Sequence, residues 1–210
     1  FFKQKTAYEM LRSLVGSEMC IRDRVDEAHA LGAVGPRGAG VTADAPESHG
    51  RLITLGTLGK SLAAAGGFIT GTVELRRLMI NRARAFIFDT AFPPPTVAAA
   101  QAALEQIQSH PDWPASLLDK SARFRARLQH LGLDTLHSDS QIIPVRIGDN
   151  AETVRIAAEL LRRDILVAAV RPPTVPPGTA RLRLSVSLLH EDRDLAAAAD
   201  AIAEVARVSS

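Results

Sequence analysis

Apolar residues recur along the chain in two alternating patterns, short continuous runs and longer runs with helical spacing. Continuous apolar runs predict buried strands, whereas a repeat of about 3.6 residues predicts amphipathic helices. The runs predict the end of a strand at Val25-Asp26 and strands at 51–55, 67–71, 86–88, 140–147, 165–170 and 181–187. The spacing predicts helices at 74–84, 97–107, 117–131, beyond the Asp149-Asn150 cap, and at 192–208. This alternation predicts an α/β fold.

The stretch His110-Pro-Asp-Trp-Pro114 is the clearest candidate for a domain boundary. Two strand–helix units follow it, which predicts a small α+β domain at 111–210. The part before it, 25–110, is expected to form a larger α/β domain, in which ligand chemistry gathers at the ends of the strands.

The first 24 residues differ from the rest in composition. They hold the single Cys, the single Tyr, two of the three Met and two of the four Lys. The string KQKTAYEMLRSLVGSEMCIRDR also resembles translated sequencing-adapter read-through. We therefore interpret residues 1–24 as an artefactual segment and exclude them from fold reasoning.

Composition narrows the class of protein. The chain has 210 residues, 46% of them hydrophobic, which is enough for one good core and part of a second. A net charge of +2, with scattered arginines, indicates neither a nucleic-acid partner nor an anionic membrane surface. The single cysteine offers no disulfide framework and no metal cluster, and no apolar run has the length of a membrane span. We expect a cytoplasmic protein.

Lys60 is unusual because this chain uses arginine for nearly all its positive charge. There are four lysines against 21 arginines, and Lys60 lies in the glycine-rich turn LGTLGKSLAAAGGF just past a predicted strand. Of these two cationic side chains, only lysine can lose its proton and attack a carbonyl group. Lys60 is therefore a candidate nucleophile.

A nucleotide-hydrolase interpretation of this region is disfavoured by spacing. Gly59-Lys60-Ser61 resembles the end of a P-loop, and Val25-Asp-Glu-Ala-His29 resembles the acidic box of a helicase. The P-loop needs a glycine where this chain has Thr54, and Gly66-Gly67 would interrupt the helix that follows it. The acidic box also precedes the lysine, which reverses the usual order.

The same residues favour a pyridoxal phosphate (PLP) site. A lysine holds this cofactor covalently, and an acid keeps its pyridine nitrogen protonated. Asp26 ends one predicted strand and Lys60 follows the next, while His29 could reach the ring oxygen or the substrate. Thr57 could offer its hydroxyl and neighbouring N–H groups to the phosphate.

Four segments carry a resemblance to a known family. DEAHALGAVGPRGAG, LGTLGKSLAAAGGF, NRARAFIFDTAFPPP and RPPTVPPGTARLRLS together resemble the α-oxoamine synthases, a PLP-dependent family of fold type I. The resemblance runs from Val25 to about Val208. It implies the C-terminal part of a fold type I major domain followed by a small α+β domain.

The resemblance also implies roles for individual residues. Lys60 matches the lysine that binds the cofactor, Asp26 the partner of the pyridine nitrogen, and His29 the histidine near the ring oxygen. Thr57 matches a phosphate-binding threonine, and Thr90 a residue that reaches the phosphate across a homodimer interface, although Asp89 stands where a small hydroxyl residue is more usual.

For the substrates, Arg183 matches the arginine that binds the amino-acid carboxylate, and Thr174 a residue of the substrate pocket. The implied substrates are an amino acid and an acyl-CoA or acyl carrier protein, joined with loss of carbon dioxide. The resemblance leaves open which of the family's activities this chain has, because those activities differ in both the amino acid and the acyl thioester. Because the family's chain extends well upstream of Asp26, we expect a C-terminal fragment, and a catalytically inactive, cofactor-binding fragment also stays open.

Overall fold

The computed structural model describes residues 23–44 and 52–207. Residues 1–22, which make up most of the segment interpreted as artefactual, lie outside the described residues, as do Arg51 and Val208 at the ends of predicted elements. The chain divides between Ala115 and Ser116 into two compact units.

A three-stranded sheet forms the framework of the first unit. Its strands are β1 (Asp23–Asp26), β2 (Leu52–Thr57) and β3 (Gly67–Thr70), in the order β1-β2-β3. β1 pairs with β2 in parallel, with Asp26 opposite Leu55, whereas β3 pairs with β2 antiparallel. The predicted strand end at Asp26 is confirmed, whereas β2 ends at Thr57, two residues beyond the predicted end but still before Lys60. Asp23 and Arg24, which composition assigns to the first segment, are the opening residues of β1.

Three helices follow in this unit, α1 (Val73–Arg82), α2 (Arg84–Ile87) and α3 (Pro94–Ser109). The Thr72 hydroxyl caps α1 by accepting a hydrogen bond from Leu75 N at 3.3 Å. α3 begins three residues before the predicted start, because prolines suit the first turn of a helix, where their missing N–H has no partner to lose.

The predicted strand at 86–88 is wrong. Residues Arg84–Ile87 form a single helical turn, and Phe86 and Phe88 are 64% and 73% exposed. A three-residue apolar run is too short for its periodicity to separate strand from helix. The strand assignment fails for that reason.

The second unit contains an antiparallel sheet covered on one face by helices. Its strands are β4 (Ile142–Gly148), β5 (Ala168–Val170) and β6 (Ala180–Ser185), in the order β4-β6-β5. Its helices are α4 (Trp113–His130), which begins just before the unit, α5 (Asn150–Arg162) and α6 (Asp192–Arg207). The predicted cap of α5 is confirmed, since the Asp149 side chain accepts from Glu152 N at 2.8 Å.

A single apolar core unites these elements. Alternate residues of the strands face the helices, and the largest fully buried members are Leu128, Ile143, Ile156, Leu160, Leu182 and Ile202. The alternation leaves the other residues of β6, Arg181 and Arg183, on the opposite face of the sheet. Both arginines are half-buried on that face.

β5 starts three residues later than predicted. Asp164 has a left-handed backbone, with φ 60°, and Ile165 N donates to Leu160 O at 2.9 Å. Residues 163–165 therefore close the end of α5, as left-handed residues often do after a helix. The apolar run at 165–167 is bent, and only its continuation pairs with β6.

No helix within residues 23–44 and 52–207 has the length and hydropathy needed to cross a membrane. Nor do these ranges contain a group of three His, Cys, Asp or Glu side chains that could hold a metal ion.

Candidate active site

Lys60 lies in the loop that connects β2 to β3. Because these strands pair antiparallel, the loop is the end of a hairpin that begins after Thr57 and closes at Gly67. Leu58 N donates to Gly66 O at 2.9 Å and Ala64 N donates to Leu58 O at 2.8 Å. These bonds hold the loop in one shape and fix where the lysine leaves the backbone.

The Lys60 side chain is exposed. Its Nζ has no hydrogen bond or ion pair with any residue in the described part of the chain. An amine that bonds to no neighbouring acid can react with an aldehyde without first breaking an ion pair. The geometry is therefore suited to covalent attachment of a carbonyl cofactor.

The Thr57 hydroxyl closes the base of this loop. It donates to Gly66 O at 3.1 Å and accepts from Gly59 N at 3.1 Å. A hydroxyl has one hydrogen to give, so contact with a phosphate requires Thr57 to turn from Gly66 or to act through the adjacent N–H groups. Thr57 is thus placed beside Lys60, with a structural role that the sequence did not predict.

Asp26 and His29 lie at the end of the neighbouring strand and in the turn after it. Asp26 is exposed, and its Oδ1 accepts a hydrogen bond from Ala28 N at 2.9 Å. The other carboxylate oxygen, Oδ2, accepts from no residue within the described ranges. His29 is exposed three positions later. Parallel pairing of β1 with β2 brings both residues to the sheet edge that carries the Lys60 loop.

Sequence analysis missed Glu27, which is only 3% exposed. Its carboxylate accepts hydrogen bonds from Val41 N, Thr42 N and the Thr42 hydroxyl, at 3.0, 2.8 and 2.7 Å. The available signal was an acid directly after Asp26 and before a glycine-rich loop, but nothing in the sequence distinguishes a buried acid there from a surface one.

A close contact joins the loop after β1 to the loop of Lys60. A Cβ on Gly32 would lie 2.7 Å from the Ser61 Cβ and 3.2 Å from Ile107 of α3. Only a residue without a side chain permits this approach. The loop after β1 therefore rests against the residue next to Lys60.

The segment containing Thr90 also lies beside the Lys60 loop. Phe92 packs on Gly66, where an added Cβ would lie 2.4 Å from the ring. Thr90 itself is exposed, and its backbone N donates to the Asp89 carboxylate at 2.9 Å. The Asp89 side chain thus bonds to the backbone of the next residue.

Arg183 and Thr174 belong to the second unit. Arg183 is half-buried on β6, opposite Pro144 on one side and Ala168 on the other. Thr174 is exposed in the proline-rich loop, where its N donates to Arg171 O at 3.0 Å. Asp26, His29, Thr57, Lys60 and Thr90 thus lie in the first unit, and Arg183 and Thr174 lie in the second.

Comparison with known proteins decides the family. The model of the family described as aminotransferase class I and II matches residues 16–202. The chain belongs to this family. Its members are PLP-dependent enzymes of fold type I, which confirms the predicted fold class, cofactor class and enzymatic nature.

Curated relatives narrow the resemblance within the family. The chain is 45% identical over 171 residues to a putative 8-amino-7-oxononanoate synthase of Desulforudis audaxviator, covering 81% of this chain and 44% of that protein. It is 44% identical over 182 residues to the 8-amino-7-oxononanoate synthase of Anaeromyxobacter dehalogenans, covering 86% and 46%. The chain therefore spans slightly less than half the length of these relatives.

Solved structures show the same likeness. A serine palmitoyltransferase from Sphingomonas wittichii matches with a TM-score of 0.83 at 28% identity, covering 96% of this chain and 50% of that one. The 8-amino-7-oxononanoate synthase of Francisella tularensis matches with a TM-score of 0.82 at 25% identity, covering 95% and 59%. A third match, at 0.83 and 26% identity, over 96% and 50%, holds PLP as an internal aldimine. The predicted resemblance to the α-oxoamine synthases is confirmed.

Proposed function

We propose that the whole protein to which this chain belongs is an 8-amino-7-oxononanoate synthase. It would condense L-alanine with the thioester of a pimeloyl group, carried by CoA or by a carrier protein, and release the free carrier thiol and carbon dioxide. The curated relatives at 44–45% identity bear that name, and a solved structure of the same name matches at 25% identity. The observation that carries the proposal is the Lys60 amine, which bonds to no residue within 23–44 and 52–207 and lies in the hairpin loop beside the Asp26 strand end.

The residues present fit PLP. Lys60 would hold the aldehyde carbon, Asp26 Oδ2 would accept the N–H of the pyridine ring, and His29 would approach the ring oxygen. Thr57 and the N–H groups of the loop would bind the phosphate, with Thr90 serving the phosphate of a second subunit. When bound, PLP withdraws electrons from the substrate's Cα and so weakens the bonds around it.

Two residues of this chain would act on the amino acid. The Arg183 guanidinium would bind its carboxylate through two parallel hydrogen bonds, which fixes how the Cα–H bond points. The Lys60 amine, released from the cofactor, would then remove the Cα proton as general base. Thr174 would contact the substrate from the proline-rich loop.

The domain predictions enter this proposal with one change at the start of the chain. Residues 23–110 would be part of the cofactor-binding domain, because Asp23 and Arg24 open β1, and residues 111–210 would be the small domain. The protein would be cytoplasmic. It would work as a homodimer, because Thr90 is expected to serve the partner's site.

A substrate panel tests the proposed function. Full-length protein would be offered alanine, glycine and serine, each with pimeloyl, acetyl, succinyl and palmitoyl thioesters. We expect carbon dioxide release and amino-ketone formation with alanine and the pimeloyl thioester. Turnover only with glycine, or only with serine, would contradict this assignment and support a sister activity.

Cofactor attachment is tested separately by borohydride reduction and peptide mapping. The pyridoxyl label is expected on Lys60 and absent from Lys60→Ala. Labelling without turnover would support the alternative of a cofactor-binding fragment, and a wild-type protein without label on Lys60 would refute the cofactor site.

A further inference from the structure

Glu27 connects the strand end that carries Asp26 to a distant part of the same loop. Its backbone N donates to Leu55 O at 2.7 Å, which continues the pairing of β1 with β2 by one residue. Its side chain turns the other way, into the loop that runs to Thr42. One residue therefore fixes both ends of the segment 27–42.

The carboxylate is bonded on both of its oxygens. Oε2 accepts from Val41 N at 3.0 Å, and Oε1 accepts from Thr42 N and from the Thr42 hydroxyl, at 2.8 and 2.7 Å. Within the described ranges it forms no ion pair. A buried carboxylate is tolerated only when its oxygens are well bonded, and these three donors supply that.

The loop is shaped to receive this side chain. Gly40 has φ +100°, and a Cβ there would lie 2.8–2.9 Å from the carboxylate of Glu27. Within the loop, Gly32 N donates to Gly38 O at 2.7 Å and Gly40 N donates to Val34 O at 2.9 Å. The glycines thus let the backbone fold tightly around the acid.

The backbone of Glu27 also determines the orientation of its neighbours. Ala30 N and Leu31 N donate to Glu27 O at 2.9 and 3.0 Å, forming the turn that contains His29. Asp26 Oδ1 accepts from Ala28 N at 2.9 Å, so its direction follows the peptide between Glu27 and Ala28. If Glu27 moves, the Asp26 carboxylate and the turn of His29 move with it.

We infer that Glu27 is a positioning residue that aims the Asp26 carboxylate at the pyridine nitrogen and holds the turn of His29. The inference rests on the proposed cofactor site and deepens it. Asp26 controls the charge of the ring only if Oδ2 lies on the line of the N–H bond, since hydrogen bonds weaken steeply with angle. The buried carboxylate supplies that alignment without touching the cofactor.

Three variants of the full-length protein isolate this role. Glu27→Gln keeps the shape but places an NH₂ group against a backbone N–H, so that at least one of the three bonds is lost. Thr42→Val removes only the hydroxyl donor, and Thr42→Ser restores it. Glu105→Gln, an exposed glutamate on α3, is the control for removing one negative charge.

Two measurements apply to these variants. Amide hydrogen exchange without cofactor should be about tenfold faster at residues 26–31 and 40–42 in Glu27→Gln, which shows local release. With cofactor, the apparent pKa of the bound chromophore should shift by about half a unit or more, because Asp26 no longer holds the ring proton as firmly. We expect kcat to fall about 10–100-fold while the amino-acid KM changes less than about threefold.

The size of the effect in each remaining variant should follow the number of hydrogen bonds to Glu27 that the variant loses. Thr42→Val should show a smaller shift in the same direction, and Thr42→Ser and Glu105→Gln should match the wild type. A Glu27→Gln protein with lowered thermal stability but an unchanged chromophore pKa and kcat would overturn the inference, since Glu27 would then be structural only. Wild-type protein that takes up no cofactor would refute the proposed site itself, and that result is visible before any variant is compared.

Discussion

Arg181 lies directly opposite Arg146 on neighbouring antiparallel strands of the second unit. The pKa of the Arg181 guanidinium is lowered, first by its burial and then by the charge of Arg146, while Asp134 partly offsets these effects. Like charges opposite each other on a sheet destabilise it. The second unit therefore contains an unfavourable pair that substitution can relieve.

Arg146→Glu should stabilise the protein, because it turns this like-charged pair into an opposite one. The expected gain is about 0.5–1 kcal/mol in the free energy of unfolding, with Arg146→Gln giving a smaller gain. Urea unfolding at low and high salt provides the measurement, and the gain should shrink with salt. A variant less stable than the wild type would show that Arg146 has a favourable partner in the folded protein.

Lys120 of α4 fixes the loop that follows β6. Its Nζ donates to Leu188 O at 3.0 Å and to His190 O at 2.5 Å. Lys120→Met keeps the length of the side chain and leaves both carbonyl groups without this donor, so we expect a loss of about 1–2 kcal/mol in urea unfolding. Arg123→Met on the same helix is the control. It breaks ion pairs whose side chains are more than half exposed and should cost less than about 1 kcal/mol.

Gly66 is required where the Lys60 loop closes. Its φ is 116°, and an added Cβ would lie 2.4 Å from the Phe92 ring. Gly66→Ala should cost about 2 kcal/mol or more in unfolding free energy, from backbone strain and from displacement of Phe92. It should also weaken PLP uptake, measured by absorbance titration, because the loop of Lys60 changes shape.

Gly132→Ala is the matched control for that substitution. Gly132 has φ 85°, but an added Cβ would meet no atom within 4 Å. This variant should cost about 1 kcal/mol, from strain alone, and leave cofactor uptake unchanged. Equal effects of the two variants would show that the contact with Phe92 is unimportant.

Glu159 should make the stability of the second unit fall in acid. The hydrogen bond from Arg162 lowers the pKa of Glu159, with a smaller contribution from Arg163. A carboxyl group with a depressed folded-state pKa stabilises the protein above its unfolded pKa of about 4.3, and this contribution disappears as the pH falls through the folded value. The stability difference between the wild type and Glu159→Gln should therefore be present at neutral pH, begin to decline near pH ~4.3, and be lost as the pH falls through the lowered folded-state pKa of Glu159.

A double-mutant cycle with Arg162→Gln identifies the partner. The coupling between Glu159 and Arg162 should be measurable at pH 7 and absent in acid, since the protonated carboxyl no longer attracts the guanidinium. Coupling that persists below the folded pKa would contradict an ionic origin.

The sequence predicted those parts of the fold in which local signals agree. The strand ends at Asp26 and before Lys60 followed from apolar runs bounded by glycine and polar residues, and the Asp149 cap followed from its place before a helical repeat. The signals failed where the apolar run was short or bent. Phe86–Phe88 lacks the length to indicate a strand, and Ile165 closes α5 through Leu160 O before β5 begins.

The sequence suggests which groups of the candidate site would react. It does not reveal the hydrogen bonds that hold those groups in place. Lys60, Asp26 and His29 are recognisable because their chemistry is specific to residue type. The role of Glu27 depends on a contact with Thr42, 15 residues away, and the role of Thr57 in closing its loop depends on a contact with Gly66, nine residues away. Such contacts come from how the backbone turns, and no single residue type indicates them.

The two kinds of pairing around β2 should lead the two halves of the candidate site to fold at different times. The hairpin of β2 and β3 joins Thr57 to Gly67, whereas the parallel pair joins Asp26 to Leu55, nearly three times as far along the chain. Closing a longer loop costs more entropy, so the local hairpin should form first. During folding, Lys60 would then acquire its final environment before Asp26 arrives beside it.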